Sequence, residues 1–321
     1  MTLPATPAHG TEPKHPPVLY WFSWLCAAAL VLVPAVMLLG SPAVLRGHPL
    51  LPILLGVALL AGLAWGILLW RLRGERRRRT RLRAAVAWVG RLAVLGLVAT
   101  LAWLNPFAYQ GAGAGAATAA VTVQDSATAI TLKPADGAVK QGLVFYPGAR
   151  VEALAYADLL KPAAESGTLV VILKIPLGLS LLDGNQARGA MADHPEVTTW
   201  AVGGHSLGGV SASSFALANS DVRGLLLYAS YPLDSMRDRQ GLQVLSLSGT
   251  KDGLSTPEKV QASRDLLPAD ATFTAVEGGN HAFFGSYGPQ PGDGDATVSR
   301  EAAQARISAE TTSFMTGLGG R

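Results

Sequence analysis

Three residue types in this chain have the chemistry to form a reaction centre: one serine bracketed by glycines, one aspartate and one histidine. Ser206 lies in Trp200-Ala201-Val202-Gly203-Gly204-His205-Ser206-Leu207-Gly208-Gly209-Val210, where an apolar run breaks at glycines, presents a single hydroxyl and resumes with small residues. A serine hydroxyl is a weak nucleophile at neutral pH, so it needs a base within hydrogen-bond reach and a carboxylate that fixes the tautomer of that base. The expected base is His281, in Glu277-Gly278-Gly279-Asn280-His281-Ala282, and the expected acid is Asp252, in Ser248-Gly249-Thr250-Lys251-Asp252-Gly253. Asp234 is the alternative acid, since the carboxylate need only reach His281 from a neighbouring strand end. Such a set performs acyl transfer through a covalent intermediate. His205, beside the serine, is expected to point into the structure, while His194, Asp293 and Asp295 read as solvated turn residues.

These groups must be positioned by the elements around them. The G-x-S-x-G spacing of Gly204, Ser206 and Gly208 predicts a strained strand-to-helix turn, a nucleophile elbow, from which the hydroxyl projects above a sheet. Side chains at Gly204 or Gly208 would collide there. The competing reading is a glycine-rich turn whose serine caps the following helix. Apolar runs predict strands at 121–124, 129–132, 142–146, 168–175, 198–202, 224–229, 243–247 and 271–277, with helices at 152–165, 186–192, 257–267 and 299–314. This alternation predicts an α/β domain, a mostly parallel sheet with helices on both faces, whose reactive groups sit at the carboxyl ends of the strands. Ser206, Asp252 and His281 each follow a different predicted strand, separated by 46 and 29 residues. Oxyanion donors are expected from the backbone N–H of Leu207 and, in the loop Tyr146-Pro147-Gly148-Ala149-Arg150, from Ala149, because Pro147 has no N–H. Arg150 is a helix entry or a steering charge for an anionic substrate.

In these motifs and in their order, residues 121–321 resemble the α/β-hydrolase superfamily, and within it the small lid-less dienelactone-hydrolase-like enzymes. The resemblance rests on Gly204-His205-Ser206-Leu207-Gly208-Gly209, Gly249-Thr250-Lys251-Asp252-Gly253 and Gly278-Gly279-Asn280-His281. It implies a Ser-His-Asp hydrolase without a metal or organic cofactor. Dienelactone hydrolases use a cysteine nucleophile, so Ser206 argues against their substrate. Only residues 230–242 precede the strand expected at 243–247, too few for a helical cap, and Phe283, Phe284 and Tyr287 are candidates for the walls of an open site.

The first third of the chain has a different composition. Uncharged apolar runs at 18–40 and 49–70 and a third at 84–109 are long enough to cross a hydrocarbon core of about 30 Å. The first exceeds the roughly 7–15 apolar residues of a signal peptide. Residues 71–83 hold eight arginines, and of the net charge of +4 the first 109 residues carry +9 and the remainder −5. The basic excess is thus one cluster between apolar runs, which argues against nucleic acid as a partner. By the positive-inside rule this cluster and the N-terminus with Lys14 are cytoplasmic, and the domain after the third run lies outside the cytoplasmic membrane. Arg91, near the start of the third run, is expected to snorkel toward the basic flank. Residues 110–120, glycine and alanine for the most part, read as a flexible linker. The only cysteine, Cys26, lies in the first run, which excludes a disulfide framework. The chain is therefore expected to be a membrane-tethered serine hydrolase, a carboxylesterase whose partners are the lipid bilayer and a small-molecule or envelope ester. An acyltransferase or peptidase using the same residues, and a catalytically silent binding protein of this fold, remain the alternatives.

Overall fold

The computed structural model describes residues 18–72, 80–113, 116–137 and 139–319. Most of the arginine cluster, Lys14 and part of the expected linker lie outside these residues. The chain forms two compact units, residues 1–36 with 55–103 and residues 37–54 with 104–321.

Among the described residues, four helices come first: α1 (Val18–Gly40), α2 (Pro42–Arg46), α3 (Leu50–Arg71) and α4 (Arg81–Trp103). Three of them, α1, α3 and α4, are long and apolar enough to cross a membrane. Their outward side chains include Leu60 and Leu92, both more than half exposed. Within the first unit α1 and α3 approach closely at Gly62, where a methyl group would collide with Leu30 and Ala27, the close approach that small residues permit between apolar helices. Arg91 departs from the expectation that it would snorkel. Its guanidinium donates to the buried Ser23 hydroxyl at 2.7 and 2.8 Å and to the Ala87 carbonyl at 2.7 Å, and it lies over the Trp65 ring. A cation among apolar helices is favoured where neighbouring helices supply acceptors, and here one arginine ties together all three. The helix expected to reach residue 109 ends at Trp103. Pro106 cannot continue it, and Phe107 pairs with Val151 in the second unit.

The second unit is built on eight strands: β1 (Val121–Asp125), β2 (Ala129–Pro134), β3 (Gln141–Tyr146), β4 (Thr168–Leu173), β5 (Thr199–His205), β6 (Val222–Tyr228), β7 (Gln243–Gly249) and β8 (Thr272–Val276). Their order is β1-β2-β4-β3-β5-β6-β7-β8. The first two strands pair antiparallel, and β3 to β8 run parallel. Helices α5 (Ala157–Glu165), α6 (Gln186–Ala192), α7 (Leu207–Ala218), α8 (Pro257–Ala262) and α9 (Arg300–Gly319) cover both faces. The reason is the two-residue period of central strands that are apolar at consecutive positions, so that both of their faces are buried. Leu143, Phe145, Val170 and Ile172 join the core under α5 and α9, while Val144, Tyr146, Leu169 and Val171 join the core under α6 and α7. Burying each such side chain contributes about 1.5–3 kcal/mol. The chain leaves β3 toward β4 on one side and returns to β5 on the other, so the strand order reverses at β3, where a crevice opens beyond the carboxyl ends. The connection from β6 to β7 carries no helix.

Candidate active site

At that crevice β5 passes into α7 through a single residue, Ser206, with φ 52° and ψ −122°. A non-glycine residue there costs on the order of 1–3 kcal/mol and persists only where its surroundings enforce it. The enforcement is visible. The Ser206 N–H donates to the Tyr228 carbonyl of β6 at 3.0 Å, and the Ser206 carbonyl accepts the Ser230 hydroxyl at 2.7 Å and the Gly209 N–H at 3.0 Å. A methyl group at Gly208 would strike the Tyr146 and Pro147 carbonyls, and one at Gly204 would strike the Gly208 backbone. The Ser206 side chain makes no capping bond to α7, so the helix-cap reading fails and the hydroxyl is left for other work.

His281 opens a short 3₁₀ turn after β8, and Asp252 follows β7. Their side chains are fully buried, with Nδ1 of His281 2.8 Å from Oδ2 of Asp252. The other carboxylate oxygen accepts the backbone N–H groups of Leu254 and Ser255, both at 2.8 Å. A carboxylate only accepts, so Nδ1 is the protonated ring nitrogen and Nε2 presents its lone pair. That Nε2 is buried without a hydrogen-bond partner. Asp234, the alternative acid, is exposed on the loop after β6.

Asp293, read from the sequence as a solvated turn residue, is instead a fastener. Its Oδ1 accepts the N–H of His281 at 3.0 Å and that of Gly253 at 3.3 Å, and its Oδ2 accepts the N–H of Ala282 at 2.9 Å. It thereby joins the loop of Asp252 to the loop of His281. No local pattern signals this, because the partners are backbone amides that any residue supplies. Asp295 is exposed.

His205 is fully buried, its ring 4.5 Å from that of His281. Its Nδ1 lies 2.8 Å from the Tyr156 hydroxyl, which itself accepts the Gly148 N–H at 2.9 Å. Burial, and then the neighbouring His281, hold its pKa well below the ordinary imidazole value, so it is neutral and packs as a structural group. Phe284 and Tyr287 flank the same ring and are fully buried; they belong to the core rather than to the wall of a cleft. Arg150 packs its guanidinium 4.8 Å from the centre of the Phe107 ring.

The loop after β3 has few amides to spare. Pro147 has none, that of Gly148 goes to Tyr156, and that of Arg150 donates to the Gly178 carbonyl at 2.8 Å. Ala149 and Leu207 retain N–H groups that donate to no acceptor among the described residues, and the contact of Gly208 with Tyr146 and Pro147 brings their two loops together. Paired free amides of this kind can accommodate a negatively charged oxygen. On the other side, the Ser180 hydroxyl accepts from Ser211 at 2.7 Å and donates to the Leu207 carbonyl at 3.2 Å.

Residues 142–305, just over half of the chain, match a family model described as the alpha/beta hydrolase family. No curated protein matches the chain.

Proposed function

Since the chain belongs to the alpha/beta hydrolase family, we propose that it is a membrane-tethered serine hydrolase that cleaves carboxylic esters. In this reading Ser206 is the nucleophile, His281 the general base and Asp252 the residue that orients it. The observation that carries the reading is the uncapped Ser206 in its positive-φ turn together with a Nδ1–Asp252 bond that leaves Nε2 of His281 without a partner. No hydrogen bond links this Nε2 to Ser206 in the resting geometry, and in this class of site such bonds tighten when substrate binds.

The steps follow from the groups. Nε2 takes the Ser206 proton as Oγ attacks the ester carbonyl, and Asp252 stabilises the imidazolium that forms. The carbonyl oxygen gains a full negative charge, which the Leu207 and Ala149 amides receive. When the tetrahedral intermediate collapses, the C–O bond breaks and the alcohol leaves with the proton from Nε2. Water, deprotonated by the same nitrogen, then attacks the acyl-serine, and the acid is released with Ser206 restored.

The tether is the set of three apolar helices, with the N-terminus cytoplasmic and the hydrolase domain outside. One observation supports that orientation and a second supports the number of crossings. The arginines of residues 71–83 favour the cytoplasmic side. In addition, Arg46, between the first two apolar helices, forms an ion pair at 2.7 Å with Glu152 of the sheet domain. Both partners must then lie on one side, as three crossings require.

Replacing Ser206 with Ala is expected to lower hydrolysis of short p-nitrophenyl esters by roughly 10⁴-fold or more and to abolish labelling by a fluorophosphonate. Labelling that persists would overturn the reading. Added alcohols or amines that compete with water for the acyl group would instead reveal a transferase.

A further inference from the structure

The second unit contains more than the sheet domain. Residues 37–54, which include the end of α1 and the start of α3, belong to it, as does the chain from Leu104, the first residue beyond α4. The end of α1 and the start of α3 are therefore part of the same unit as the candidate active site.

They are also close to that site. Phe107 lies three residues beyond Leu104, a reach of at most about 11 Å, and its N–H donates at 2.7 Å to the carbonyl of Arg150, next to Ala149. A small cavity is lined jointly by Leu51, Leu104, Arg150 and Leu177. A second cleft is shared by His48 and Asp183. The loop running from Leu177 to Asp183 is thus flanked at both ends by residues that adjoin the apolar helices. Its middle is pinned to the elbow helix through Ser180, which donates to the Leu207 carbonyl.

Between these anchor points the loop holds two adjacent leucines outward, Leu181 at 65 % and Leu182 at 58 % exposure. Two large exposed apolar side chains side by side, on a loop whose ends adjoin the connection from α1 to α3 and the start of α3, have the character of a membrane-interface contact.

We propose that Leu181 and Leu182 sit in the bilayer interface and that the substrate is an ester carried by a membrane-resident amphiphile, its acyl chain in the lipid, rather than a freely dissolved ester. This rests on the serine hydrolase reading for the chemistry, while the membrane contact stands apart from it.

The test uses the full chain in vesicles of phosphatidylcholine and phosphatidylglycerol. One substrate is 4-methylumbelliferyl oleate dispersed in the same bilayer, and the other is water-soluble 4-methylumbelliferyl acetate. The double substitution Leu181→Glu, Leu182→Glu is expected to lower the oleate rate at least tenfold relative to the acetate rate measured on the same preparation. Rates that fall together, or a ratio that does not move, overturn the proposal. A spin label at Leu182→Cys, in a Cys26→Ala background, reads the contact without chemistry. Accessibility to oxygen over a water-soluble nickel chelate supports the proposal, and full accessibility to the chelate overturns it. A lipid-facing label on a chain that neither hydrolyses esters nor takes a fluorophosphonate would sink the hydrolase reading and leave the membrane contact in place.

Discussion

At the residue scale, the position of His281 depends on a carboxylate that takes no part in the proposed proton transfers. Asp293 accepts the amides of His281 and Ala282 on one loop and of Gly253 on the other. Each buried amide stripped of its acceptor costs about 1–3 kcal/mol, and a base displaced by an ångström can cost about 10²-fold in rate. Asp293→Ala is therefore expected to lower kcat on a water-soluble ester by roughly 10- to 100-fold, with KM little changed and Ser206 labelling slowed in parallel. Asp293→Asn, which keeps one acceptor oxygen, should recover part of the loss. Steady-state kinetics on the two variants decide this, and an Ala variant with wild-type kcat refutes the positioning role. Ser206, Asp252 and His281 stand out in the sequence because their side chains have chemistry of their own and glycines mark their loops. Asp293 does not, since its partners are backbone atoms, and those of His281 and Ala282 come from 12 and 11 residues upstream. Tyr156, which links Gly148 to His205, is hidden for the same reason: only the fold brings those three residues together.

At the scale of elements, the strand-to-helix turn is the costly component. Gly208 sits where the first turn of α7 presses on the backbone after β3, and backbone on both sides leaves nothing to yield. Overpacking costs typically 1–3 kcal/mol, occasionally more, and about 2–4 °C per kcal/mol in a domain of this size. Gly208→Ala is expected to lower the thermal inactivation temperature by roughly 2–12 °C. Gly184→Ala, at a glycine with open space around it, should leave that temperature unchanged. Equal behaviour of the two variants in a thermal-shift assay would contradict the steric account. Most elements were legible because their periods are plain. Strands buried on both faces appear as unbroken apolar runs, and α6 starts and ends where expected. The end of α4 was not legible. Phe107 and Tyr109 look like interface aromatics in the sequence, but in the structure Phe107 pairs with Val151, and the Tyr109 N–H donates to Glu152 at 2.8 Å. An aromatic suits either setting, so composition alone extends the helix too far.

At the scale of the whole molecule, orientation is the testable property. Alkaline phosphatase fused to the C-terminus is expected to be active in a bacterial host, because the enzyme matures only outside the cytoplasm. A fusion that is inactive there, while a C-terminal fluorescent protein matures inside, would reverse the topology. The Arg46–Glu152 pair also bears on what happens if the chain is cut. Glu152 is 4 % exposed, and its carboxylate is met by Arg46 and by the Tyr109 N–H. Proteolysis that shed the domain just before Leu104 would remove Arg46 and leave a buried anion only two residues from Arg150, whose carbonyl anchors Phe107. The Arg46 side chain is 44 % exposed, so the pair falls between an exposed one, worth about 0–1 kcal/mol, and a fully buried one, whose disruption costs about 3–5 kcal/mol. A domain released in this way is expected to be less stable than the same domain in the full chain, which thermal unfolding of the two measures.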